Sequence, residues 1–331
     1  MKIKETIGID ISKLTFDTRI YSNQKFKQFQ NSSSGFKELI SWVFKNTEIK
    51  KSETLFVFEH TGLYSLELSI FLEKKNISFS LVPGLEIKRS LGISRGKDDK
   101  VDASKIALYA YRLREEIEPT ILPSKTLMSL KNLLSLRDRL VKQRAGYKTS
   151  YKEQHRVLNK KENKTLLETQ KKMINYFTNQ INSIQNEMEI LVKKNEQLDQ
   201  IYKLITSING IGPQTALYMI VYTNGFTKFN TWRKFAAYCG TAPFPNSSGT
   251  SLIGRTKVSH LAYKKIKSLL DMCAKSAIQS NPEMKNYYQK RIEIGKNKMS
   301  TINIIRNKLL ARIFAVVQRK SPYVDFMKYA A

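Results

Sequence analysis

Four acids, Asp10, Glu59, Asp99 and Asp102, stand where chemistry is possible. Phosphodiester transfer needs positive charge on the phosphate, and two divalent ions about 4 Å apart, bridged by carboxylates, supply it. Carboxylates from separate elements must then converge. Asp10 closes the run Thr6-Ile-Gly-Ile, Glu59 closes Leu55-Phe-Val-Phe, and Asp99 and Asp102 have the i, i+3 spacing that shares one helix face. Singly, each has an ordinary alternative, since an acid ending a strand caps a loop and an acidic first turn complements a helix dipole. Together, in a basic chain, they point to one site. His60 follows Glu59 and suits either a phosphate contact or a structural role. The only histidines are His60, His155 and His260, which excludes a His-rich metal site, and the only cysteines, Cys239 and Cys273, form no CxxC pair and so suggest no zinc site. Carboxylate ligands imply magnesium or manganese.

The charge agrees with a phosphodiester substrate. Fifty-seven Lys and Arg against 28 Asp and Glu leave +29 on 331 residues, far more than solubility requires, so a polyanionic partner is expected. With 41% hydrophobic residues the chain can bury the cores of more than one domain. No apolar leader opens residues 1–12 and no run approaches the ~20 apolar residues of a membrane span. A soluble, cytoplasmic protein acting at the nucleoid, with no membrane partner, is the expectation.

The elements that position the acids are legible in the first hundred residues. A strand ends on Asp10; Thr15 to Tyr21 and Lys25 to Gln30 read as further strands of an antiparallel meander. A helix through Phe36, Leu39, Ile40 and Val43 precedes the strand ending on Glu59, which is apolar enough to be buried on both faces. A helix from about Leu63 to Lys74, a strand at Ser78 to Val82 and a helix from Asp98 to Arg114 complete an α/β pattern. Strand acid, strand acid and helical acids, in that order, is the arrangement of the RNase H-like nucleases.

From about Leu122 to Leu204 the sequence reads as long helix. Leu167, Ile174, Phe177, Ile181, Ile184, Met188, Leu191 and Leu198 fit heptad a and d positions, with Asn195 as a polar a residue, so a coiled coil or long helical hairpin is expected, either as a spacer or as a dimerisation arm. Beyond it, Gly210-Ile-Gly212 separates two apolar helical stretches. Such a turn resembles a helix-hairpin-helix that offers backbone N–H groups to a phosphate, and serves equally as a capped turn between core helices. An aromatic-rich helix through Trp232, Phe235 and Tyr238, a loop from Pro243 to Ser251, and basic helices from about Ser259 to Ala277 and Thr301 to Arg319 follow.

Several segments together resemble one family, the DEDD-type insertion-sequence transposases, which include pilin-gene invertases and recombinases guided by a bridge RNA. The matching segments are Gly8-Ile-Asp10-Ile-Ser-Lys13, Glu59-His-Thr-Gly62, Lys97-Asp-Asp99-Lys-Val-Asp102-Ala103, Ile208-Asn-Gly-Ile-Gly-Pro213, Phe235-Ala-Ala-Tyr-Cys-Gly240 and Ser247-Ser-Gly-Thr-Ser251, in family order along nearly the whole chain. The resemblance implies an α/β RNase H-like (RuvC-like) catalytic domain over residues 1–120, a helical or coiled-coil connector over 121–203 and a mainly α C-terminal transposase domain over 204–331. It further implies a nucleophilic serine before a glycine, which selects Ser248, with Ser247 and Ser251 as competitors. The chain departs from the family where a basic Ser-Lys-Arg-Gly-like turn is usual, having Ser259-His-Leu-Ala-Tyr-Lys-Lys265 instead.

The expected function is that of a mobile-element DNA recombinase: Asp10, Glu59, Asp99 and Asp102 bind magnesium or manganese, and Ser248 forms a phosphoserine link. Nucleic-acid contacts are expected at Lys97, Gly210, Gly212, Arg255, Lys257, Lys264 and Lys265. The implied partners are donor and target DNA, a noncoding bridge RNA, and further copies of the chain as a dimer assembling to a tetramer. Two other functions fit the same residues. One is a hydrolytic junction resolvase that needs only the acids and water; the other is a non-catalytic nucleic-acid-binding protein in which the acids are structural.

Overall fold

The computed structural model describes residues 3–90, 99–248 and 252–325. The chain divides into two compact units, Met1–Leu122 and Pro123–Ala331. In the first, β1 (Glu5–Ile11), β2 (Thr15–Ile20) and β3 (Phe26–Gln30) form the expected antiparallel meander, and β4 (Thr54–Glu59) and β5 (Phe79–Val82) join it in parallel. The sheet order is β3-β2-β1-β4-β5.

Alternation along the strands makes two faces. Ile7, Ile9, Ile11, Phe56 and Phe58 pack with Phe36, Leu39 and Val43 of α1 (Ser33–Asn46) and Leu68 and Leu72 of α2 (Leu63–Lys74). Leu55, Val57 and Val82 face the opposite way, onto Ile87 of α3 (Gly84–Ser90) and Ile106, Tyr109 and Ala110 of α4 (Asp99–Arg112). The result is a three-layer α/β/α unit, consistent with an RNase H-like domain. The helix expected from Asp98 is observed from Asp99 onward, Asp98 lying outside the described residues.

The second unit is mostly helical. α5 (Lys125–Val157) and α6 (Lys164–Lys193) pair as an antiparallel hairpin, with Tyr147 against Phe177 and Gln170 hydrogen-bonded to Ser150 and Gln154. The stretch read as long helix to Leu204, with a coiled coil or a helical hairpin expected, comprises three helices, the first two forming a hairpin. Asn195 is not an a residue of a coiled coil: α6 stops at Lys193, and the Asn195 side chain accepts the Leu198 N–H as the cap of α7 (Glu196–Thr206). Asn is among the strongest N-caps because its oxygen satisfies an otherwise unpaired first-turn amide. The inner half of the hairpin, Leu127, Leu130, Leu134, Ile184, Met188 and Val192, shares one core with α7, α8 (Pro213–Tyr222), α9 (Trp232–Cys239), α10 (Lys264–Ser280), α11 (Pro282–Glu293) and α12 (Lys298–Arg319).

The segment read as a loop from Pro243 is a β-hairpin. β6 (Pro243–Ser248) pairs antiparallel with β7 (Leu252–Val258), with a bulge between Phe244 and Asn246. Two prolines argue against a central strand, but a two-stranded ribbon consists of edges only, where a missing N–H is tolerated.

Candidate active site

Adjacent parallel strands bring two of the acids together. The ladder pairs Ile9 of β1 with Phe58 of β4, so Asp10 and Glu59 end neighbouring strands at the same edge. Ile9 and Phe58 point into the α1–α2 layer; Asp10 and Glu59, one residue on, point to the α4 face, and both are half-buried.

Helix α4 runs antiparallel to β1 and nearly touches it. The Thr6 hydroxyl donates to the Ala107 carbonyl at 3.1 Å. At Gly8 a Cβ would lie 2.2 Å from the Ala107 nitrogen and 2.4 Å from the Ala103 oxygen, so only glycine fits. Two strand residues advance about 6.7 Å, the length of four to five helical residues. Asp10, next on that face, therefore meets the first turn of α4, which carries Asp99 and Asp102. Asp102 is half-buried and ion-paired to Lys105 at 2.9 Å; the side chain of Asp99, like Lys97 and Asp98 entirely, lies outside the described residues. Among the described residues no three His, Cys, Asp or Glu side chains are gathered closely enough to hold a metal ion.

Gly84, at the start of α3, makes room for Glu59: a Cβ there would sit 2.2 Å from Oε1 and 2.6 Å from Oε2. The donors of this edge are carboxylate oxygens, which suit a hard divalent ion. His60 is exposed, and its Nδ1 accepts the Gly62 N–H, a contact that shapes the entry to α2.

One acid escaped the sequence reading. Asp17 of β2 lies directly opposite Asp10 in the antiparallel ladder and is buried, its Oδ1 accepting from Gln28 Nε2 at 3.1 Å. The available signal was the alternation of Phe16, Thr18 and Ile20, which puts Asp17 on the other face. Glu5, also buried, lies at the far end of β1 and accepts the N–H groups of Thr6 and Ser22; it stays apart from the site.

In the second unit, Ser247 and Ser248 end β6, beside the turn at residues 249–251, which includes Ser251 and lies outside the described residues. Ser247 is exposed; the side chains of Ser248 and Arg255 are not described. Lys257 is exposed opposite Phe244, and Lys264 is exposed where α10 begins. Lys265 is turned inward: its Nζ is 2.8 Å from Asp138 of α5 and 5.8 Å from the Tyr218 ring centre. Burial and the Asp138 carboxylate, which accepts its hydroxyl proton, push the Tyr218 phenol far up.

One glycine of the Gly210-Ile-Gly212 turn is packed against a core helix. A Cβ on Gly210, whose φ is +92°, would meet Ala277 of α10 at 2.8 Å, and the Gly212 N–H is engaged by the Cys273 sulfur. Burial pushes the thiols of both cysteines upward. Gly210 thus packs against the core, while Gly212 is exposed with open space where a Cβ would stand.

Two family models match the chain: a DEDD-type IS110 transposase model over residues 7–158, and the transposase IS116/IS110/IS902 family over residues 202–289. The chain belongs to the IS110 family of DEDD transposases. The first match spans the sheet, α4 and α5, and the second contains the β6–β7 hairpin. Pilin gene-inverting proteins of Moraxella bovis and Moraxella lacunata are each 27% identical over 337 residues, covering 97% of this chain and 98% of the relative. An IS110 insertion-element protein of Streptomyces coelicolor is 26% identical over 124 residues, 38% of this chain and 30% of its own length. As an IS110 transposase the chain is a DNA transposase or recombinase. Among the described residues no helix is long and apolar enough to cross a membrane.

Proposed function

We propose that this transposase cuts and rejoins DNA through a phosphoserine intermediate on Ser248, with Asp10, Glu59, Asp99 and Asp102 as ligands of magnesium or manganese. The observation that carries this reading is the convergence of Asp10 and Glu59, at the ends of paired parallel strands, on the first turn of α4. Divalent ions there would supply the positive charge that a phosphate needs as it is displaced. The serine hydroxyl gives up its proton, its oxygen forms a bond to phosphorus, and one bridging P–O bond of the DNA breaks, its oxygen taking a proton. Attack by the hydroxyl of a second strand reverses these changes and frees the serine. Each phosphodiester is conserved, so exchange needs no external energy.

The acids and the serine belong to different units, and we assign them to different protomers of a dimer that assembles to a tetramer. A noncoding bridge RNA that pairs with both donor and target DNA completes the proposal; a net charge of +29 suits a chain that holds more than one polyanion.

Ser248→Ala is expected to abolish covalent protein–DNA adducts, seen on denaturing gels, while DNA binding persists. Adducts that survive the substitution would remove Ser248 as nucleophile. Metal-dependent nicking that is indifferent to Ser248 would convert the reading to a hydrolytic resolvase.

A further inference from the structure

At the foot of the β6–β7 hairpin lies a cavity of about 800 Å³, bordered by Tyr238, Phe244, Pro245, Asn246, Lys257 and His260. The volume falls in the ~300–1,000 Å³ range of sites that take small ligands or single groups of large ones. Its chemistry is mixed in an informative way. Phe244 is 46% exposed, so its ring is open to a ligand in the cavity. The Tyr238 ring is fixed by near-parallel packing on Tyr263 (6.1 Å, 12°) and Phe235 (5.9 Å, 22°), with the Lys228 ammonium 5.7 Å from its centre. Burial, and then Tyr263, push the Tyr238 phenol up to about 12, so it stays a neutral ring with a proton to donate. Lys257 stands across the ladder from Phe244, and Asn246 marks the bulge.

We propose that this cavity receives an unstacked DNA base next to the phosphate attacked by the hairpin serine. Aromatic faces stack on any base, an amide reads a base edge by donating and accepting, and an ammonium takes the adjoining phosphate. An apolar metabolite would leave Lys257 and Asn246 without use, and an acidic peptide would leave the two rings without use. The hairpin supplies the link to the reaction: Phe244 and Ser248 lie on the same strand, ~13 Å apart at about 3.3 Å per residue. Taking a base out of the stack frees the backbone around it, which is how enzymes gain access to atoms a duplex hides. The proposal rests on the recombinase reading for the identity of the strand as DNA.

The test uses the full chain with a short single-stranded DNA carrying 5-iodouracil, the same sequence as a duplex, and the same sequence as RNA. Phe244→Ala is expected to lower single-strand affinity about tenfold, the loss of one stacked base. Duplex affinity should stay within about twofold, since phosphate contacts dominate it. Ultraviolet crosslinks should map to Tyr238 or Phe244, and Phe244→Trp should restore both affinity and crosslinks. Unchanged single-strand affinity, an equal loss on duplex, crosslinks elsewhere, or a larger Phe244 effect on RNA than on DNA would each overturn the proposal. The recombination chemistry is read separately, from adducts that require Ser248. Absent adducts with Phe244-dependent binding sink that chemistry alone; adducts without Phe244-dependent binding sink the base pocket alone.

Discussion

Asp17 shows how a one-residue change of viewpoint alters a site. Asp10 and Glu59 are legible from sequence because each terminates an apolar run, whereas Asp17 sits mid-strand, and only the hairpin register reveals it as the cross-strand neighbour of Asp10. Buried and held by Gln28, it places a second carboxyl group beside the strand-end acid. Asp17→Asn is therefore expected to cost about 10–100-fold in metal affinity or cleavage rate, the usual effect of removing a group that supports a ligand. Asp10→Asn should abolish cleavage outright. Titration of cleavage against magnesium separates the two: added metal rescues Asp17→Asn, and failure to rescue at any concentration would make Asp17 a ligand rather than a support. Lys265 teaches the converse lesson. Its charge is visible in sequence, but its partner Asp138 is 127 residues away, a pairing no local pattern encodes.

At the level of elements, close approach of β1 and α4 sets the geometry of the acids. Gly8→Ala would force a Cβ into the backbone of Ala107, and overpacking of this kind typically costs ~1–3 kcal/mol or more where backbone cannot yield. A lowered urea midpoint with lost cleavage is expected; wild-type stability would show that strand and helix can part. Another joint ties α10 to α12. Burial alone would raise the Asp271 carboxyl, but hydrogen bonds from Lys275 and Arg306 outweigh it and hold it below the ordinary carboxylate range. A lowered folded-state value stabilises at pH above the unfolded value of about 3.9 and is lost as pH falls through the folded one. Asp271→Asn should thus destabilise at neutral pH, by ~3 kcal/mol because Arg306 is left buried without its charge partner, and should become nearly silent in strong acid. Equal destabilisation at both pH values, by thermal unfolding, would contradict this. Period-2 alternation revealed the sheet strands, but β6 was hidden by Pro243 and Pro245, and the break before Asn195 by a heptad pattern that continues across the helix ends.

For the whole molecule, charge was the most legible property. Neutralising six to ten phosphates would cost roughly 10³–10⁵ in affinity between 50 and 200 mM salt, so binding of the +29 chain to a fixed duplex should fall steeply over that range. A flat dependence by fluorescence anisotropy would mean that the charge does not serve DNA. The long helices were legible too; their antiparallel pairing, and the way their inner half joins the core of α7–α12, depended on contacts made across the unit. That anchoring has a mechanical result. α6 is 30 residues long, about 45 Å at 1.5 Å per residue, and beyond the anchored end the hairpin is braced by Phe177 on Tyr147 and by Gln170 on Ser150 and Gln154. It is a lever with its fulcrum in the core. A tilt of about 10° about the last anchored turn, at Ile184, carries the tip with exposed Lys160, Lys161 and Lys164, about 30 Å away, through roughly 5 Å, more than one base-pair step along a duplex.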